Sequence, residues 1–337
     1  MIHRHRAALR ICLSTAVLAG TTLATHAQAR EIAATWLQQR DQNPFALASG
    51  LPLPPAIPSA RGWQIDTSLS IANTELADAR GNSLMLFDAE TRETRISLAY
   101  AFDTGWSLRA SLGHWWIGDG VLDSPVESFH RAFGFDNGDR GRLGTLAPVV
   151  HVERDGTRLY SLDRTGASVA PLLVDLTRHW QYDERHLLGV SLGAKFPLGD
   201  ANRLADNGGI GISVSAFAMT HWGANTTFGA RVGVLRQDDK DLLPGLARRH
   251  VPFASAVLRY RLGQRWSAVV QSDAHGALHR DLPDFFGAAN LLSIGVARRI
   301  GETAELAITL GEDLPALRTT DVVLGMNLRV LAGARSR

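Results

Sequence analysis

The chain has 337 residues, with 35 Lys and Arg against 33 Asp and Glu, 32 glycines and one cysteine. Its mean hydropathy of −0.04, and the lack of any apolar run approaching about 18 residues beyond the N-terminus, exclude a bundle of membrane-spanning helices. A single cysteine excludes a disulfide framework and a thiolate metal site.

At the N-terminus Arg4, Arg6 and Arg10 precede an apolar and small-residue run, Ile11 to Ala24, which leads to Ala27-Gln28-Ala29. That order predicts a secretory signal peptide, residues 1–29, cleaved after Ala29. The run is about 14 residues, shorter than the roughly 20 a spanning helix needs. Cleavage removes three arginines and no acid, taking the formal charge from +2 to −1 and with it Cys12, which is not at a lipobox boundary. The basic pI of the whole chain is therefore no sign of a nucleic-acid partner. Residues 30–61 carry a possible short helix over 32–39, then Leu51-Pro52-Leu53-Pro54-Pro55-Ala56-Ile57-Pro58. Proline at this density excludes a helix interior and a central strand, so residues 30–61 are expected as a Pro-rich periplasmic lead-in outside the barrel wall.

From Trp63 the hydrophobic period becomes two. Trp63, Ile65, Leu69 and Ile71 oppose Gln64, Asp66, Ser68 and Ser70; Ile96, Leu98, Tyr100 and Phe102 oppose Arg95 and Ser97. The rhythm continues through Leu108, Phe196, Val232, Leu258, Leu306 and Leu328. Alternation of this kind marks half-buried strands, and a soluble sandwich would show it too. Connection lengths separate the two. Short links at 103–104, 181–184, 263–264 and 299–302 alternate with longer ones at 74–83, 198–207, 238–250 and 275–288, as in outer-membrane barrels. The expected fold is all-β: a transmembrane antiparallel β-barrel over residues 62–331, followed by a tail, 332–337. About 12 strands are expected, or 14 if Val149 to Asp163 inserts as a hairpin around Asp155-Gly156.

The longest loop, 117–147, is extracellular under this parity. Ser124-Pro125-Val126-Glu127 reads as a helix start, giving a short helix from Pro125 to Phe133. Glu127 and His130 would share one face and Phe129 and Phe133 another, which could pack into the barrel mouth as a lid or plug with Asp123 and Arg140.

Several segments resemble the family of predicted Gram-negative outer-membrane proteins known as domain of unknown function family 3187. They are Arg40 to Phe45, Asp88 to Thr91, Asp123 with Glu127 and the string Phe129 to Arg140, Lys195 to Asp200, and Gly311-Glu312-Asp313 with Asp321-Val322. Thr320-Asp321 stands where the family usually has Pro-Asp. The resemblance implies the barrel and the outer-membrane location, and carries no activity.

Opposite the apolar rows lie Asp66, Arg95, Arg109, Asp175, Lys195, Arg231, Arg259, Arg261, Asp273, Glu305, Asn327 and Arg329. A charge facing lipid at mid-depth costs about 2–4 kcal/mol, which assigns these to the lumen. They would line a polar channel or pair with one another in a plugged lumen, and their mixed signs favour pairing. The expected role is a narrow passive, porin-like pore or a plugged structural barrel. A membrane-embedded hydrolase acting on lipid or lipopolysaccharide is the alternative; it would need a Ser–His pair, for which Ser128 with His130 and Ser272 with His275 are the candidates. Asp273, His275 and His279, expected in one extracellular loop, and Glu127 with His130 give weak metal signals, so no metal or cofactor is assigned. Expected partners are outer-membrane lipid, the barrel-assembly machinery and small polar solutes.

Overall fold

The computed structural model describes residues 36–58, 61–102, 105–119, 122, 128, 148–314 and 319–332. The expected signal peptide lies outside them, as do the loop residues Asp123, Glu127, Phe129, His130, Phe133 and Arg140 and the tail beyond Ala332.

The chain forms a short helix α1 (Pro44–Ser49) and then strands β1 (Gly62–Arg80), β2 (Ser83–Ala101), β3 (Trp106–Gly118), β4 (Val149–Arg154), β5 (Thr157–Leu162), β6 (Gly166–Val169), β7 (Leu172–Gln181) and β8 (His186–Phe196). The series ends with β9 (Gly211–Trp222), β10 (Thr226–Arg236), β11 (His250–Arg261), β12 (Trp266–His275), β13 (Ala289–Ile300), β14 (Ala304–Asp313) and β15 (Val322–Ala332). Strands β1, β2, β3 and β7 to β15 pair antiparallel in sequence order. The sheet closes where β1 meets β15, from Trp63 opposite Ala332 to Asn73 opposite Val322. The result is a 12-stranded barrel with three additional strands.

Strand alternation sorts the side chains as the pleat requires. Leu108, Phe196, Val232, Leu258 and Leu328 are exposed on the outer face, whereas Arg109, Lys195, Arg231, Arg259 and Arg329 are buried on the inner one. Leu306 is only half-buried.

Three features depart from the sequence-based expectations. Residues 74–83 are not a long loop: β1 and β2 continue above the barrel to the two-residue turn Gly81-Asn82. Leu76, Met85, Phe87 and Ala89 on these extensions are buried in the largest apolar cluster, which makes it favourable to continue the ladder. The Asp155-Gly156 hairpin forms, with both residues at positive φ (52° and 71°) as a two-residue hairpin turn requires. It does not enter the wall; β4 pairs with Ser83 to Asp88 of β2, and the barrel stays at 12 strands. Finally, residues 36–58, expected as a periplasmic lead-in, run through the barrel interior, where they are almost entirely buried.

Candidate functional site

The site is the lumen, and the inner residues of the wall meet there a segment of their own chain. Helix α1 is short because its signals are close together. Asn43 caps its N-terminus by accepting a hydrogen bond from the Phe45 amide, Pro44 occupies the first turn, and Gly50 ends it in the left-handed region at φ 79°. A Cβ at Gly50 would lie 2.5 Å from Cγ of Lys195, so both the backbone conformation and the close approach call for glycine.

The proline-rich stretch that follows has few N–H groups to offer a neighbouring strand, but all its carbonyls remain acceptors. Inner-face side chains take them. Arg109 donates from Nη1 to the carbonyl of Pro54 at 2.7 Å and from Nη2 to that of Leu53 at 3.4 Å. Arg231 reaches the Leu53 and Pro52 carbonyls at 2.8 and 3.4 Å, and Ser107 Oγ reaches that of Ala56 at 3.0 Å. Further along the segment, Arg329 donates to the Trp36 carbonyl at 3.4 Å. The Gln271 side chain accepts from the Leu37 amide at 3.0 Å and donates to its carbonyl at 3.3 Å, as a strand neighbour would.

Buried charges are paired, as burial in a low dielectric demands. Arg109 meets Asp175 at 2.8 Å, Arg329 meets Asp66 at 2.8 Å, Lys195 meets Asp206 at 2.5 Å, and Arg259 meets Glu305 through two nitrogens, one at 3.0 Å. Arg95 pairs with Glu93, which also takes Arg40 at 3.5 Å. Arg40 is thus buried beside a second guanidinium, Arg95, and the two share the Glu93 carboxylate that their burial requires. Asp41 accepts from His275 at 2.7 Å and from the Thr319 hydroxyl. Arg231 instead rests on neutral groups, the carbonyls above, Ser215 Oγ at 3.1 Å and the Phe253 ring at 4.7 Å.

At the long-loop end of the barrel α1 sits under a roof. Phe45 packs edge-on against Phe286, Tyr160, His279 and Phe285 at centroid distances of 4.6, 6.3, 6.2 and 6.4 Å. Leu204, Leu242, Leu243, Leu278 and Leu282 from the loops after β8, β10 and β12 join the same core. At the opposite mouth an open cavity remains, lined by Arg261, Arg265, Arg299, Glu302, Glu305 and Arg329 among others.

Asp66, Arg95, Arg109, Asp175, Lys195, Arg231, Arg259 and Arg329 are thus all buried on the inner face, with Glu305 bonded among them. Arg261 and Asn327 are half-buried: Arg261 bonds the Asn225 side chain at the mouth, and Asn327 donates to the Thr67 carbonyl at 3.4 Å. Asp273 and His275 are not in a solvated loop but inside β12, buried, where Asp273 accepts from Gln271 at 2.8 Å. His279 bonds Asp239 instead, and no group of three metal-capable side chains occurs among the described residues. Ser272 and His275, three apart on one strand, face opposite sides of the wall, and Ser272 bonds Asn290. They cannot exchange a proton.

Sequence reasoning missed Gln38, Arg40, Asp41, Asp206 and Gln271. The signal was present in part: charged Arg40 and Asp41 shortly before an Asn-Pro helix start and a terminal glycine are unusual in a mere tether.

No curated protein matches the sequence. Among solved structures, the COG4313 outer membrane channel from Pseudomonas putida F1 superimposes with a TM-score of 0.55 at 13% identity, over 84% of this chain and 97% of that one. The KdgM porin gives 0.44 at 6% identity, over 79% and 98%, and the Ralstonia pickettii toluene transporter TbuX gives 0.40 at 9%, over 87% and 98%. The first likeness shows a shared outer-membrane barrel fold. The model of the family described as "Protein of unknown function (DUF3187)" matches residues 10–330, and the chain belongs to that family.

Proposed function

We propose that the protein is an outer-membrane channel for small polar solutes whose resting form is closed by its own N-terminal segment. The carrying observation is that residues 36–58 thread the lumen and are held there by hydrogen bonds from Arg109, Arg231, Arg329 and Gln271 to their backbone. Wall-to-backbone bonds of this kind can be broken and remade without rearranging the wall, whereas the wall's own ladder is continuous. A polar inner face supports passage of polar solutes once the segment moves. The proposal includes export by a cleaved signal peptide and insertion into the outer membrane of a Gram-negative cell by the barrel-assembly machinery.

Conductance in a planar bilayer tests the reading. The full-length mature chain is expected to be silent or to open rarely. A variant lacking residues 36–58 is expected to conduct steadily, and Arg109→Ala with Arg231→Ala in the full chain to open intermittently. Silence of all three, with assembly verified by heat-modifiable gel mobility, would show that the lumen is a sealed structural core.

A further inference from the structure

The outer face of the barrel carries two guanidinium groups at the rim of short turns, each set against tryptophan. Trp106 opens β3 and lies opposite Arg178 on β7; Trp266 opens β12 and lies opposite Arg298 on β13. Both pairs therefore stand in the same place, at the first position of a strand leaving a periplasmic turn and on the next strand of the wall. The Arg178 guanidinium is 5.6 Å from the Trp106 ring and 5.3 Å from that of Trp180, and Arg298 is 5.2 Å from that of Trp266. Trp106, Trp180 and Trp266 are each 40–47% exposed on the outer surface.

Tryptophan at this level marks the membrane interface, and an arginine on the outer wall there needs an anion. None is supplied by the described residues. Arg178 Nη1 is buried without a hydrogen-bond acceptor, and it occupies space that any side chain at Gly105 would take, since a Cβ there would be 2.7 Å away. Arg298 has its ring contact alone among the contacts of the described residues. Aromatic rings cannot neutralise these charges; they hold one face of the flat guanidinium and leave its charge without a counter-ion among the described residues.

We infer that Arg178 and Arg298 are two binding sites for the phosphodiester of a glycerophospholipid in the periplasmic leaflet, with the flanking tryptophans against its glycerol and upper acyl chain. An anionic headgroup is favoured over a zwitterionic one, whose ammonium would lie near the same arginine. The sites depend on the membrane orientation of the barrel and not on whether it conducts, so their test is separate from conductance.

Native mass spectrometry of the full mature chain, released from detergent after titration with dioleoyl phosphatidylglycerol, reads the sites directly. Wild type is expected to retain two lipids. Arg178→Gln and Arg298→Gln are each expected to retain one, and the double variant to lose bound lipid by about tenfold, as for loss of a charge-assisted pair. Arg178→Lys, which keeps the charge, should retain more than Arg178→Gln, and Arg164→Gln, in the link between β5 and β6 at the long-loop end, should match wild type. Retention of two lipids by a correctly assembled double variant overturns the inference. Displacement of the lipid by millimolar inorganic phosphate also overturns it, because the ligand would then be free phosphate.

Discussion

Arg109 shows how much one side chain does inside this barrel. It binds Asp175 through Nε and Nη2, Gln38 through Nη1, and two plug carbonyls, so wall, plug and counter-charge meet at one planar group. Arg109→Met would leave Asp175 buried without its cation, a loss of about 3–5 kcal/mol. Urea unfolding in detergent should show that loss. Adding Asp175→Asn should recover part of it, because a neutral amide is far less costly to bury; no recovery would mean that the plug contacts, not the ion pair, set the stability. The inward orientation of Arg109 was legible in the alternation of β3, since a lipid-facing charge is costly. Its partners were not: they come from segments 55 to 71 residues away, and for Gln271 and Leu37 the separation is 234. Local patterning carries no information about such pairs.

At the scale of elements, the strands were readable and the plug was not, for a definite reason. Proline density rules out a strand over residues 51–58, but it does not exclude a place inside the barrel, because a segment short of N–H donors still satisfies its carbonyls when the wall supplies arginines. The hairpin 149–163 was legible as a hairpin from Asp155-Gly156, yet its place outside the wall depended on the length of β2, which no local signal gives. Between β6 and β7, which both lie along β3, Pro171 lacks the amide that would continue the ladder. The end of α1 offers a prediction. Gly50→Ala places a side chain at φ 79° and against Lys195, and should weaken docking of the helix by about 1–2 kcal/mol. Amide exchange at residues 45–51 should rise by roughly tenfold in hydrogen-exchange mass spectrometry. Unchanged protection would mean that the phenylalanine cluster alone holds the helix.

For the whole molecule, closure and occlusion are separate properties, and a conductance measurement confuses them unless the seam is fixed. The seam is β1 against β15, where Ser68 faces Asn327. Opposed residues on antiparallel strands have Cα atoms about 4.5–5.5 Å apart, within the range a disulfide spans. The one natural cysteine, Cys12, lies within the expected signal peptide, so Ser68→Cys with Asn327→Cys would give a mature chain with a single thiol pair. Oxidation should remove both thiols from titration with a thiol reagent. A one-residue slip would turn one of the two to the lipid side and leave both reactive. In the oxidised protein the wall cannot part at its seam. If deletion of residues 36–58 still produces steady conductance there, the current passes through the lumen that the segment had filled. If locking the seam abolishes it, the open path in the deletion variant ran through a parted wall, and the plug would be a brace for the barrel instead of its gate.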